Sequence, residues 1–343
     1  MSDKKNLVII GGGFAGTVLA KSLEKRLPED WRIYLLSQTN FVTYNPLLPE
    51  VVGASVLPGH VQAPIRQMVK RTRIRMVTVD KVDFDRRVVC YHNEEPGELH
   101  FDQLVYASGV GANMTMMPGL KEHALPLKTV GDALHIRNRV VERLEQATIH
   151  PDSERRKALT RFVVIGGGFS GVEVAGELED FLQSAQRYYK GVKAEDCKVI
   201  MLHGTDRLLP ELSEKLGKKT EAIFRKRGID VRLNTRADRI EHEKVILSDG
   251  SEIDGSLIIC TIGTQPHAVN QDERLPIERG KIKTQPDMSV EGVDGVWALG
   301  DCSLVPNARD GKLSPPTAQF ADRQAKVLAK NIAASVKGQK TEA

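Results

Sequence analysis

Apolar and polar positions alternate in one arrangement twice along this chain. Residues 7–23 read LVIIGGGFAGTVLAKSL, and residues 162–178 read FVVIGGGFSGVEVAGEL. In each, four consecutive apolar residues lead into three glycines, after which apolar positions recur at helical spacing. The apolar run predicts a strand buried on both faces, and the later spacing predicts a helix. More of the pattern repeats behind each corner. After the first come an apolar strand at 31–37 (WRIYLLS), alternating β-like segments at 75–92 and a closing strand within 100–109. After the second, the same order returns at 197–203, 229–250 and 252–263. The interval from Gly13 to Gly109 matches that from Gly168 to Gly263 to within one residue. A duplicated unit is expected: a βαβ core, a β-meander and a closing parallel strand that ends in glycine.

Three further features complete the pattern. A third strand-to-glycine corner, GVWALGD, spans 295–301. The last helix is expected after Pro315 and Pro316, with Thr317 as its cap. Phe320, Val327, Leu328, Ile332 and Val336 fall near one face of it. A stretch punctuated by Met and Pro, 113–123, is expected as the linker between the two copies.

Both glycine corners fit G-x-G-x-x-G, at Gly11, Gly13 and Gly16 and at Gly166, Gly168 and Gly171. The first glycine allows the tight turn, the second lets a pyrophosphate approach the backbone, and the third lets helix pack on strand. The helix N-terminus then offers N–H groups and a positive dipole end to the phosphates. One such motif is a weak signal. Two in register, each heading a repeat of matching length, are a strong one. The fold class expected is α/β, with two Rossmann-like dinucleotide-binding domains, each a parallel sheet with helices and a β-meander. Two dinucleotides held by one chain point to hydride passing from a nicotinamide to a flavin.

Composition narrows the classes. The chain has 343 residues, 41% hydrophobic and 27% charged, with a formal net charge of +4. That is globular, and too weakly basic for a nucleic-acid partner. The most basic stretch, 65–75, reads as a solvated helix end and loop rather than a contact with anionic membrane. Cys90, Cys197, Cys260 and Cys302 show no C-x-x-C spacing, so no dithiol pair or zinc ribbon is expected, and a reducing cytoplasm suits them. The basic start and uncharged stretch at 1–20 resemble a signal peptide, but the glycines make a strand–helix corner the better reading. No uncharged apolar run reaches the roughly 18 residues of a membrane span.

With these motifs in hand, the sequence resembles the two-dinucleotide-binding flavoprotein oxidoreductases, whose fold is that of glutathione reductase. Within them it is most similar to the type II NADH dehydrogenases, NADH:quinone oxidoreductases that pump no protons. The resemblance runs over nearly the whole chain. It rests on GGGFAG, NPLLPEV (45–51), LKTVGDALHIRNRV (127–140), the second glycine phrase, RLLPEL (207–212), GVWALGDC (295–302) and PPTAQFA (315–321). It implies FAD at residues 1–117 and 268–343, and NADH or NADPH at 118–267. For FAD it implies Gly11, Gly13, Phe14, Ala15, Gly16, Ser37, Pro46, Leu47, Val82, Ser108, Gly109, Gly300, Asp301, Ala318 and Gln319. Asp301 would accept hydrogen bonds from the ribityl chain. Ala318 and Gln319 would begin a helix aimed at the flavin N1–C2=O edge, where a helix N-terminus stabilises negative charge. For the nicotinamide nucleotide it implies Gly166, Gly168, Phe169, Ser170, Gly171, Glu173, His203, Gly263 and Thr264. Glu173 and Gln319 would be catalytic, Glu173 as an acid near the reacting rings and Gln319 as the first glutamine of the quinone-facing motif. Gln324 is the next glutamine, with Arg323 at the usual spacing. No metal is implied.

The sequence departs from the pattern in two places. Where an acid usually ends the second strand and holds the adenosine ribose, this chain has Ser37 and His203. Without a carboxylate to repel a 2′-phosphate, and with Arg207 nearby, weak discrimination between NADH and NADPH is expected. The family also continues past the last helix with parts that dock on the membrane and wall the quinone site. The sequence stops at Ala343 after a polar tail, which reads as a shortened relative or a truncated sequence. The partner expected is a quinone or small soluble electron acceptor. A cytoplasmic location, peripheral contact with the inner face of the cytoplasmic membrane, and a homodimer are all compatible with the sequence. Two other readings stay open. One is a ferredoxin reductase, with Arg66, Lys70, Arg71, Arg73 and Arg75 as a docking face. The other is a non-enzymatic flavoprotein whose NAD(P)H-linked redox state controls a partner.

Overall fold

The computed structural model describes residues 4–267 and 272–343. The expected return to the first domain at residue 268 lies outside the described residues. Along the chain, β1 (Lys5–Ile10) leads through the first glycine corner into α1 (Phe14–Leu23) and then β2 (Trp31–Ser37). A short helix α2 (Leu48–Val52) precedes β3 (Arg73–Met76). The meander β4 (Thr78–Asp83), β5 (Val88–His92) and β6 (Pro96–His100) follows, then β7 (Gln103–Tyr106). Next come β8 (Leu125–Pro126), α3 (Val130–Ile149), β9 (Arg161–Ile165), α4 (Phe169–Ala185) and β10 (Lys198–Leu202). After α5 (Glu214–Lys226) and β11 (Asp230–Arg232) lies a second meander, β12 (Ala237–Glu241), β13 (Lys244–Leu247) and β14 (Glu252–Asp254). The chain closes with β15 (Leu257–Cys260), β16 (Val296–Ala298) and α6 (Ala318–Ser335).

These elements form two compact units: residues 1–43, 62–111 and 265–343, and residues 44–61 and 112–264. The first holds a five-stranded sheet in the order β16-β7-β1-β2-β3, parallel throughout. The second holds β8-β15-β9-β10-β11, likewise parallel. Each unit adds an antiparallel three-stranded meander, β4–β6 and β12–β14. The α/β fold class read from the sequence is therefore the one found.

The central strands explain why the apolar runs are unbroken. Leu7, Val8 and Ile9 are fully buried, as are Phe162, Val163 and Val164. Helices cover one face of each parallel sheet and the meander joins the core on the other, so neither face of β1 or β9 meets water. In the first unit, Leu19 and Leu23 of α1 share a core with Leu328 and Ile332 of α6. Thr317 caps α6, its hydroxyl accepting from the Phe320 N–H at 3.4 Å.

Two stretches fall differently from the sequence expectation. Residues 113–123, expected as a linker, pack within the second unit, because Leu120 is fully buried beside Val163 and Ile165. Residues 44–61, assigned by the resemblance to the flavin half, also pack there, because Leu48, Val51 and Val52 of α2 bury against Val174 and Leu178 of α4. No helix is long and apolar enough to cross a membrane among the described residues.

Candidate functional site

Each unit contains one glycine corner, and the two are built alike bond by bond. Gly11 N–H donates to Leu36 O at 2.8 Å, and Gly166 N–H to Leu202 O at 2.9 Å. Ala107 N–H donates to Ile10 O, and Thr261 N–H to Ile165 O. Gly11 has φ +112° and Gly166 φ +120°, a region closed to residues with a Cβ. A Cβ on Gly16 would lie 1.9 Å from Gly11 O, and one on Gly171 would lie 1.8 Å from Gly166 O. Helix and strand thus meet at a distance that only glycine allows.

The middle glycines face space. A Cβ on Gly13 would meet nothing within 4 Å, and one on Gly168 only an oxygen of Glu211, at 3.6 Å. Gly13 and Gly168 are the N-cap residues of α1 and α4, and neither helix has a side-chain cap. Helix α3 makes the contrast: Thr129 and Asp132 close a full capping box over its first turn. An uncapped helix start behind an open glycine suits an anionic diphosphate.

In the first unit Ser37, Ser108 and Gly300 lie at this corner, and the other predicted residues take the places that follow. Ser37, nearly buried, lies against Gly12, whose added Cβ would come 2.4 Å from Ser37 Oγ. Ser108 follows β7, with its Cα 2.9 Å from the Cβ position of Gly11, and Gly109 has φ +66°. Gly300 (φ +73°) comes within 3.2 Å of Ala15 Cβ by the same measure. Asp301 sits beside it in a short 3-10 turn after β16. Phe14 and Ala15 open α1, with Ala15 buried. Val82 lies in β4, its side chain in the core with Ile10 and Leu36. Ala318 and Gln319 open α6 and are exposed. Gln324, one turn on, accepts the Gly300 N–H at 2.9 Å, so it braces the third glycine corner.

The second unit brings Gly166, Gly168, Gly171 and His203 to one corner, with Phe169 and Ser170 exposed at the start of α4, while Gly263 lies against Met116 and Asn113. Gly263 has φ +74°, and Thr264 follows it at the start of a three-residue strand. The His203 ring lies 2.7 Å from the Cβ position of Gly167. Its Nδ1 accepts the Gly167 N–H at 3.0 Å, and its Nε2 is 2.7 Å from Thr205 Oγ1. An Nδ1 that accepts carries no proton, so the ring is neutral with its hydrogen on Nε2. Burial holds its pKa below the ordinary value, against the opposing pull of Glu211 and Asp206. His203 therefore pins the glycine loop, and both of its nitrogens are engaged.

Pro46 and Leu47 form a 3-10 turn leading into α2 in this unit. Helix α2 brings an acid that the sequence reading overlooked. Glu50 faces Glu173 and Glu177 of α4, and its Oε2 is buried with no hydrogen-bond partner among the described residues. Burial raises the Glu173 pKa, and the negative charge of Glu50 raises it further. Glu173 keeps more than a third of its surface exposed, so this desolvation is partial. Glu177 is raised in the same way, although the Ser55 hydroxyl donates to it at 2.8 Å. The signal available in sequence was the Glu that ends NPLLPE, but the helix crossing that aims it is not a local property.

Part of the basic stretch 65–75 makes internal contacts, while Arg66, Lys70 and Arg73 stay exposed. The Arg71 guanidinium donates to the carbonyls of Glu24, Leu27, Pro28 and Trp31. Glu24 accepts the N–H groups of Lys70, Arg71 and Thr72. Arg66 reaches Ile74 O, and Arg73 and Arg75 bond the hydroxyls of Tyr34 and Tyr91. Among the described residues no group of His, Cys, Asp and Glu is placed to hold a metal ion.

Comparison with known proteins agrees with this architecture. The model of the family described as pyridine nucleotide-disulphide oxidoreductase matches residues 5–325. The chain is 29% identical to an external alternative NADH-ubiquinone oxidoreductase of Yarrowia lipolytica mitochondria, over 95% of this chain and 59% of that protein. It thus spans about three-fifths of that relative's length. It is also 29% identical to the type II NADH:quinone oxidoreductase Ndh of Mycobacterium tuberculosis, over 98% of this chain and 73% of that one. Among solved structures, NDH2 from Plasmodium falciparum in complex with NADH superposes with a TM-score of 0.88 at 19% identity, covering 95% of this chain and 83% of that one. A ferredoxin reductase from Rhodopseudomonas palustris gives a TM-score of 0.78 at 20% identity, covering 96% and 76%. With two matching glycine corners and a family model that spans nearly its whole length, the chain belongs to the pyridine nucleotide-disulphide oxidoreductase family.

Proposed function

We propose that the protein is an FAD-dependent NAD(P)H dehydrogenase that passes electrons to a quinone, with FAD held by the first unit and NADH or NADPH by the second. FAD, when bound, would supply the redox chemistry that links a two-electron nicotinamide donor to the acceptor. The observation that carries this reading is the pair of uncapped, glycine-opened helix starts in matching sheets. The names of the relatives supply the quinone.

The residues take these roles. Gly11, Gly13 and Gly16 admit one diphosphate to the N-terminus of α1, with Phe14 and Ala15 offering the first helical N–H groups. Ser37 hydrogen-bonds the adenosine ribose without charge assistance. Val82, Ser108, Gly109, Gly300 and Asp301 hold the rest of the FAD, Asp301 through the ribityl hydroxyls. Ala318 and Gln319 set the positive end of α6 against the flavin. Gly166, Gly168, Phe169, Ser170 and Gly171 repeat the diphosphate grip at α4, helped by Gly263 and Thr264, with His203 fixing the loop. Glu173, whose carboxyl pKa is raised by burial and by the charge of Glu50, takes the role of the acid that exchanges a proton near the nicotinamide.

The ferredoxin reading is weakened because Arg71, at the centre of its basic stretch, is taken up by backbone carbonyls. The test is a stopped-flow record of flavin bleaching by NADH and by NADPH, followed by reoxidation with a water-soluble quinone. Rapid bleaching and quinone-dependent return are expected. Protein that stays colourless after purification with added FAD would overturn the reading.

A further inference from the structure

The strand end that usually carries a ribose-binding acid carries His203, whose two ring nitrogens hold Gly167 and Thr205. The next residue, Gly204, has no side chain, and another residue covers it. A Cβ on Gly204 would lie 3.4 Å from both Cγ and Nε of Arg236.

Arg236 is held there by backbone pairing, which makes its position a built one. Thr235 N–H donates to His203 O at 2.8 Å, and Asn234 N–H donates to Thr205 O at 2.9 Å. Ser248 N–H fixes the Arg236 carbonyl from the meander side at 3.0 Å. The Arg236 side chain is exposed, and among the described residues its guanidinium makes no ion pair or hydrogen bond. Arg207, the basic residue nearest in sequence, instead donates to Pro210 O at 3.0 Å. Two acids face the same loop, Asp206 and Glu211. Glu211 stands on the Gly168 side and Arg236 on the Gly204 side.

We infer that Arg236 receives the 2′-phosphate of NADPH at the second glycine corner, so that this corner binds NADPH as well as NADH. A planar guanidinium suits a phosphate, and an arginine beside this strand end is the usual means of accommodating the extra charge. Glu211 and Asp206 moderate the preference. The inference rests on the reading that the second corner holds a nicotinamide dinucleotide.

The test is isothermal titration of the flavin-loaded protein with NADH, NADPH and 2′,5′-ADP, for the wild type, Arg236→Ala and Arg236→Lys. The wild type is expected to bind all three. Arg236→Ala should lower the NADPH-to-NADH affinity ratio, and 2′,5′-ADP affinity, by about tenfold to a hundredfold. Arg236→Lys should restore part of both, a recovery that a folding defect would not give. Added salt should weaken NADPH more than NADH. An unchanged ratio in Arg236→Ala, or a wild type that binds NADH but not NADPH, would overturn the inference and leave the corner's role standing. A wild type that binds neither dinucleotide would overturn both.

Discussion

The two glycine corners share their backbone and differ in what sits behind the loop. At the first, Gly12 rests on the hydroxyl of Ser37. At the second, Gly167 hangs from the imidazole of His203 by a hydrogen bond. The helices differ too. α1 carries no acid in its 10 residues, whereas α4 carries Glu173 and Glu177 facing Glu50. The steric frame of the glycine corner is thus kept twice, while an acid pair facing a third carboxylate is found on the helix of the second copy.

The comparison breaks most sharply at the third glycines. Gly16→Ala and Gly171→Ala each drive a Cβ into a backbone carbonyl, and about 3 kcal/mol of stability should be lost in urea unfolding. Gly16→Ala should release FAD on gel filtration. Gly171→Ala should keep its colour and lose NADH binding. Colour lost in the second variant and kept in the first would exchange the two assignments.

The carboxylates come next. Glu173→Gln should slow turnover by about a hundredfold at saturating substrate. Glu50→Gln should instead move the limb of the pH–rate profile set by Glu173 toward lower pH, because the charge that raises it is gone. The stability effect has the matching sign. A carboxyl whose folded pKa is raised contributes stability in full below its unfolded value, and that contribution is lost as pH rises through the folded one. Glu173→Gln should flatten this segment of the stability–pH curve. A profile unmoved in Glu50→Gln would separate the two carboxyls.

The histidine gives a smaller and opposite dependence. Its folded pKa is lowered, so its contribution is present above the unfolded value and lost as pH falls through the folded one. Protonated Nδ1 cannot accept from Gly167, so NADH should bind more weakly, by about 1 kcal/mol, on the acid side. FAD affinity should show no such step, because Ser37 does not titrate. His203→Ser, which copies the first corner, should abolish the step in fluorescence titrations with NADH. A step that persists in that variant would place its origin elsewhere. The smallest change is expected for Gln324→Leu, where the Gly300 N–H loses its acceptor. Stability should fall by about 1 kcal/mol in thermal melts, with FAD held less tightly and NADH affinity unaltered.

Much of the fold was legible because its signals are local. Strand, glycine turn and helix follow one another within some seventeen residues, and the steric need for Gly11, Gly16, Gly166 and Gly171 is set by their immediate neighbours. The duplication could be read because the same run of patterns returns at the same interval. Thr317 as a cap was legible for the same reason. The assignment of 113–123 as a linker failed because Met and Pro mark a bend and say nothing of whether Leu120 finds a core.

What the sequence by itself determined was therefore the two nucleotide grips and the layered α/β frame that carries them. Tertiary structure alone decided how side chains distant in sequence are used. Arg71, read as surface charge, is bound to four carbonyls, while Arg236, which no motif singled out, stands open over Gly204. His203 is occupied by its own loop, and Glu50 reaches Glu173 because α2 packs on α4. Glycine geometry depends on neighbouring peptides, whereas the partners of a charge depend on which strands and helices cross, and that crossing exists only in the folded chain.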